Sequence, residues 1–222
     1  MLSLNFRPQV ARVVDPVGRR LARLGVSPDV VTVVGTVGVC GGALGFYPRG
    51  VFFLGTVVIT CFVFSDMLDG AIARVTGRSG PWGAFLDSTL DRFGDAAVFG
   101  GLALWYAGRG DDLVLCAVAL YDLVAGSVTS YVKARAEGLG LRCDVGFAER
   151  SERLLTILVL TGLSGLFDAG WLRAAALWFL AAATTYTVGQ RLVEVRRQAA
   201  QAARAGSPSA GSPSAERPVN AG

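Results

Sequence analysis

Between residues 66 and 91 the chain reads DMLDGAIARVTGRSGPWGAFLDSTLD, and most of its candidate chemistry is concentrated there. Asp66 and Asp69 are three residues apart and Asp87 and Asp91 four, so on helices each pair shares a face. The first pair follows the uncharged run 51–65, and the second opens the next apolar segment. A connector containing Gly77, Gly80, Pro81 and Gly83 is tight enough to bring the pairs together. Four carboxylates in one pocket repel one another, and a desolvated lone charge is expensive. Oxygen-seeking divalent cations remove the conflict. Two Mg²⁺ ions, or Mn²⁺ in their place, offset the four charges and leave a site that accepts a diphosphate. Paired ions of this kind hold a phosphoryl group and polarise it for in-line attack. Gly70 and Ala73 leave the helix surface open for a nucleotide, and Arg74 adds a fixed cation for phosphate. A purely structural ion-pair network is the competing reading, and the segment has few basic partners for one.

The elements that must position these residues are apolar. Of 222 residues, 52% are hydrophobic and 17% charged, and the mean hydropathy is +0.49. That leaves too few charges to coat a water-soluble globule. Six apolar stretches, roughly 29–47, 51–73, 92–108, 113–133, 152–167 and 171–192, each approach the length of a membrane-spanning helix. The expected fold class is therefore an all-α integral membrane protein of six transmembrane helices. In the first stretch, Gly38-x3-Gly42 and Gly41-x3-Gly45 suit close helix packing.

Charge placement supports the same topology. All but Arg49, Arg109 and Arg173 of the 21 basic residues fall before the first span, after the second, after the fourth or after the sixth. Basic residues favour the cytoplasmic face, so both termini and the carboxylate segment are expected there, on a multi-pass plasma-membrane protein. Residues 1–28 read as an amphipathic surface helix, with Phe6, Val10, Val13, Val14, Val17, Leu21 and Leu24 opposite the arginines. Ser27-Pro28-Asp29 then restarts the chain as an N-cap followed by a first-turn proline. The six-span domain is expected over 29–198. The small, polar residues of 199–222 are expected to form a disordered cytosolic tail.

The absences are also informative. There is no histidine, which excludes imidazole bases, Ser-His-Asp triads and histidine-type zinc sites. The four cysteines have no CxxC spacing and read as idle thiols. Nothing points to nucleic acid as a partner.

The pattern Asp66-x2-Asp69-Gly70-x2-Ala73-Arg74-x8-Gly83-x3-Asp87-x3-Asp91 resembles the full signature of the CDP-alcohol phosphatidyltransferase family. The resemblance implies a membrane enzyme, usually a homodimer, that joins an alcohol to the phosphatidyl group of a CDP-linked lipid and releases CMP. It implies Asp66, Asp69, Asp87 and Asp91 as metal ligands, with Asp91 also the base. Gly70 and Arg74 would contact the CDP moiety of CDP-diacylglycerol, Asp29, Val30, Val31 and Thr32 would help hold that lipid, and Gly80 would contribute only backbone.

The acceptor is argued from other segments. Lys133, Arg135, Arg150 and Arg153 form a basic cluster on the catalytic side, joined by Arg191, which suits an acceptor that itself carries phosphate. Positive-inside placement alone is the bland alternative. GVSPDVVTVVGT (25–36), FYPRG (46–50), SYVKARAEGLGL (130–141), ERSER (149–153) and GQRL (189–192) resemble the actinobacterial branch of the family that makes phosphatidylinositol phosphate. That branch implies inositol phosphate as acceptor, with Lys133, Arg153 and Arg191 as its phosphate ligands. Glycerol phosphate, giving phosphatidylglycerophosphate, is the nearest alternative. An ion-coupled transporter is the remote one, since its acids would be spread among several spans.

Overall fold

A computed structural model of the chain describes residues 23–77 and 80–205, with Pro16 and Arg20. The side chains of residues 65–69, 71, 74–76 and 203–205 are outside that description. Most of the expected amphipathic helix of residues 1–28 lies outside the described residues, as does the expected tail from residue 206.

Six long helices make up the described chain: α1 (Pro28–Phe46), α2 (Phe52–Thr76), α3 (Pro81–Ala107), α4 (Leu113–Gly138), α5 (Arg150–Leu166) and α6 (Gly170–Ala205). A 3₁₀ turn at Tyr47–Arg49 joins the first two. Local chemistry sets the starts. Ser27 caps α1 by accepting from the Val30 N–H, with Pro28 in the first turn. Asp112 caps α4 in the same way through the Leu115 N–H, and Glu149 and Glu152 form a reciprocal capping box on α5.

Two boundaries differ from the apolar stretches by ten residues or more. Helix α3 begins at Pro81, not near residue 92, so Gly83, Asp87 and Asp91 are inside a helix and the connector shrinks to 77–80. Helix α6 runs to Ala205 and takes up the first seven residues of the expected 199–222 tail. Hydropathy marks where a helix is apolar, and a polar end continues the same hydrogen-bond ladder unseen.

Close contacts run α1–α2, α2–α5, α5–α6, α6–α4, α4–α3 and α3–α1, which closes a ring. Its interior is filled by fully buried side chains such as Ile59, Val98, Leu102, Ile157 and Leu177. Gly38 and Gly42 of α1 receive Phe62 and Ile59 of α2, whereas Gly41 and Gly45 face open space. Outward, the ring presents large apolar residues, among them Val37, Val114, Val124, Leu155 and Phe179. Among the described residues, Pro28–Arg49 and Leu113–Gly138 are long and apolar enough to cross a membrane.

Short connections gather the starts of α1, α3 and α5 and the ends of α2, α4 and α6 at one end of the ring. At the opposite end Arg173 is buried. Its guanidinium lies 3.8 Å from the Phe52 ring centroid and 4.6 Å from that of Trp105, and Nη1 donates to Ser164 Oγ at 2.8 Å. This contact ties α2, α3, α5 and α6 together far from the carboxylates.

Candidate active site

Helix α3 projects Asp87, Asp91 and Asp95 at successive turns into the gathered end. Asp87 is exposed, Asp91 half-buried and Asp95 buried, so the row descends from solvent into the ring. Opposite stands α5. Arg150 places Nη1 2.7 Å from Asp91 Oδ1 and Nε 3.3 Å from Asp95 Oδ1. Arg153 places Nη2 3.6 Å from Asp95 Oδ2. Helices α3 and α5 are not neighbours in the ring, so these ion pairs cross its interior. From α3 itself, Arg92 reaches Asp95 at 3.7 Å and donates to Ser130 Oγ of α4 at 2.5 Å.

Above these groups opens a cavity of about 750 Å³ whose walls include Asp91, Arg92, Lys133, Arg150, Arg153 and Arg191. Arg153 and Arg191 are each only 3% exposed, and buried charges of this kind need partners. The α4–α5 strap, residues 139–149, supplies several. Ala148 O accepts from Arg153 Nη1 at 3.0 Å and Val145 O from Arg191 Nε at 2.9 Å. On α4, Gly126 O accepts from Arg153 Nη2 at 3.4 Å and Thr129 O from Arg191 Nη1 at 2.6 Å, while Arg153 Nε stays buried without a hydrogen-bond partner. Lys133 pairs with Asp144 of the strap at 3.1 Å and with Glu137 at 4.0 Å. The guanidinium of Arg153 lies against Gly126, where an added Cβ would stand 3.2 Å from Nε.

The strap is itself pinned. Gln198, on the polar extension of α6, donates to Arg142 O at 2.6 Å and accepts from Arg142 N–H at 3.0 Å. Gly146, at φ 117°, adopts the left-handed region and packs on Thr187, whose Oγ1 accepts from Ala148 N–H at 3.1 Å. Burial pushes the Cys143 thiol pKa up against the opposite pull of Arg191 and Lys133, so it packs as a neutral group.

The expected acceptor ligands Lys133, Arg153 and Arg191 thus converge with Asp91 on one cavity. Arg135 is exposed and does not line it. Asp66, Asp69 and Arg74 lie on α2, with side chains outside the described residues, and Gly70 is on the same helix. The residues expected to hold the CDP-linked lipid start α1 and α3 at the same end. Asp29 accepts from the Trp82 indole N–H at 3.0 Å, Val30 is exposed, Val31 half-buried, and Thr32 buried with its hydroxyl on Pro28 O. Gly80 caps α3 in extended conformation without a side-chain bond. None of these lines the cavity. Asp95, Arg92 and Ser130 escaped the sequence reading. The repeated four-residue spacing Asp87-x3-Asp91-x3-Asp95 was the available signal for the first of them.

For a divalent metal, the test is donor chemistry. Among the described residues no three acidic or cysteine side chains cluster closely enough to hold an ion. Asp87 and Asp91, one turn apart, offer only carboxylate oxygen, the donor type hard cations prefer. Their donor type therefore suits such an ion, and the further ligands expected, Asp66 and Asp69, have side chains outside the described residues.

The sequence profile of the CDP-alcohol phosphatidyltransferase family matches residues 25–188, and the chain belongs to that family and is an enzyme of its class. The phosphatidylinositol phosphate synthase of Streptomyces avermitilis is 52% identical over 208 residues, covering 91% of this chain and 85% of the relative. That of Cutibacterium acnes is 48% identical, covering 87% and 97%. The crystal structure of Mycobacterium tuberculosis phosphatidylinositol phosphate synthase with CDP-DAG bound superposes with a TM-score of 0.78 at 45% identity, covering 83% of this chain and 94% of that one. The same Mycobacterium tuberculosis enzyme in complex with manganese and citrate gives 0.78 at 45% identity, covering 82% and 88%.

Proposed function

We propose that the chain is a phosphatidylinositol phosphate synthase, transferring the phosphatidyl group of CDP-diacylglycerol to a hydroxyl of inositol phosphate and releasing CMP. One observation carries the reading: Asp91 shares its cavity with Lys133, Arg153 and Arg191, so a carboxylate base stands beside a phosphate-sized set of cations. Identity of 40–52% to named synthases of this activity supports it.

The chain's own residues divide the work. Lys133, Arg153 and Arg191 bind the acceptor phosphate, and the strap carbonyls hold the two arginines in place before it arrives. The acceptor hydroxyl is thereby directed at Asp91, which takes its proton as the oxygen attacks the lipid-side phosphorus. With no histidine in the chain, a carboxylate is the base available near neutral pH. Arg74 and the backbone at Gly70 and Gly80 hold the CDP side, while Asp29, Val30, Val31 and Thr32 line the lipid's approach. Asp66, Asp69, Asp87 and Asp91 would hold divalent cations, Mg²⁺ or Mn²⁺ and two in number, which when bound supply positive charge to the diphosphate and departing CMP.

The six helices are read as six membrane spans, with the cavity end and both termini cytosolic. The apolar outward faces and the one-sided distribution of basic residues support that orientation. A homodimer is part of the same reading.

The deciding experiment follows CMP release from purified protein given Mg²⁺, CDP-diacylglycerol and either inositol phosphate or glycerol phosphate. Preference for inositol phosphate is expected. Equal rates defeat the narrow assignment, and faster release with glycerol phosphate assigns the chain to phosphatidylglycerophosphate synthesis.

A further inference from the structure

Asp95 is 6% exposed and does not line the cavity, so it lies beneath the cavity wall, shielded from solvent. Yet three of the cavity's guanidinium groups are tied to it: Arg92 at 3.7 Å, Arg150 at 3.3 Å and Arg153 at 3.6 Å. Arg153 is the most deeply buried of the three, and among the described residues its ion pair is with Asp95. Its other partners are neutral carbonyls at Ala148 and Gly126.

Consider the cavity's charge without that carboxylate. Arg92, Lys133, Arg150, Arg153 and Arg191 would share one wall set, and guanidinium groups held this near one another repel. The closest remaining acid is Asp91, already 2.7 Å from Arg150. Arg150 would then settle wholly on Asp91, and Arg153 would lose the anion that offsets its burial. Asp95 thus keeps two cations in the acceptor cavity and limits the hold of one of them on the base.

We propose that Asp95 is a positioning residue for the acceptor: it fixes Arg150 and Arg153 at the cavity floor and thereby sets affinity for the phosphate of the incoming alcohol. This rests on the reading of the cavity as the phosphorylated-acceptor site. It adds a residue that works from beneath that site, one turn past the carboxylate pair on α3.

The test compares the full-length chain with Asp95→Asn, an isosteric loss of charge, in lipid nanodiscs. Acceptor KM should rise about tenfold or more, the scale of one charge-assisted interaction, with KM for CDP-diacylglycerol within about twofold. Competitive inhibition by inorganic phosphate should weaken in parallel. Asp95→Glu should recover part of the loss, and Arg153→Ala should cost less in the Asp95→Asn background than alone. An unchanged acceptor KM overturns the proposal. So does a uniform fall of every parameter with the melting temperature, unrescued by glutamate, which marks a purely structural role. If Asp95→Asn does not fold, Asp95→Ser decides: a raised acceptor KM at constant lipid KM supports the role, and an unchanged acceptor KM overturns it. Failure of the unaltered chain to turn over any phosphorylated alcohol sinks the functional reading; normal turnover with an indifferent Asp95→Asn sinks only this inference.

Discussion

Arg150 of α5 holds Asp91 of α3 by a 2.7 Å ion pair that spans the interior of the helix ring. A cation approaching Asp91 therefore meets a fixed positive charge. Replacing Arg150 with glutamine should tighten Mn²⁺ binding about three- to tenfold, the scale of one screened charge contact. Titration calorimetry on protein without substrates measures this directly, and unchanged or weaker binding would remove Arg150 as a competitor at that carboxylate.

Asp91→Asn keeps the shape of the side chain and removes its basicity. CMP release should fall about 100- to 10,000-fold, the usual range for a lost general base, with CDP-diacylglycerol still bound and the fold intact. Near-normal turnover would take the proton-accepting role away from Asp91.

Lys133→Ala and Gly126→Ala test the acceptor wall from two directions. The first deletes a cation whose partners are Asp144 and Glu137; the second adds a methyl group 3.2 Å from Arg153 Nε and forces the guanidinium to shift. Loss of the lysine should raise acceptor KM about tenfold, and the added methyl about threefold. Steady-state kinetics in both substrates should leave the KM for CDP-diacylglycerol unmoved in each case.

The strap offers a remote handle. Gln198→Leu deletes both hydrogen bonds to Arg142 while keeping the helical position. Amide exchange across 142–148 should accelerate, and acceptor KM should rise about threefold because Val145 O and Ala148 O no longer hold Arg191 and Arg153 firmly. Unaltered exchange would mean that Gly146 and Thr187 suffice.

Arg173→Ala addresses stability alone. It removes the stacked cation between Phe52 and Trp105 and leaves a void where four helices meet. A loss of about 2–4 kcal/mol is expected, read as a lower melting temperature in detergent with both KM values unchanged in the surviving fraction.

Much of this was legible in the sequence, and the limits have physical causes. The six helices follow from apolar stretches, and the start of the first from its cap at Ser27, because both signals are local. Pro81 to Asp91 is too polar for a hydropathy window, so the apolar stretch marks α3 only from about residue 92, although its first-turn proline suits the true start. Lys133, Arg153 and Arg191 could be grouped by membrane side, but their burial could not: the carbonyls of Val145 and Ala148 become partners only when the strap folds back. Asp95 is illegible for a related reason. A carboxylate inside an apolar stretch looks like an anomaly until the three arginines that justify it are brought across the ring.

The length of α6 has a consequence for where the reaction occurs. Its 36 residues extend about 54 Å, well beyond the roughly 30 Å hydrocarbon thickness it is read as crossing. Arg191 and Gln198 sit on the same rigid rod, about 10 Å apart along its axis. The helix acts as a ruler graduated from the bilayer outward. In the proposed function one mark sets the depth at which the acceptor phosphate is caught, and the next fastens the strap whose Val145 carbonyl holds Arg191. Inserting or deleting a residue between the membrane and Arg191 would rotate that mark by about 100° as well as moving it, so the water-borne reactant would no longer arrive at the height of the lipid's phosphorus.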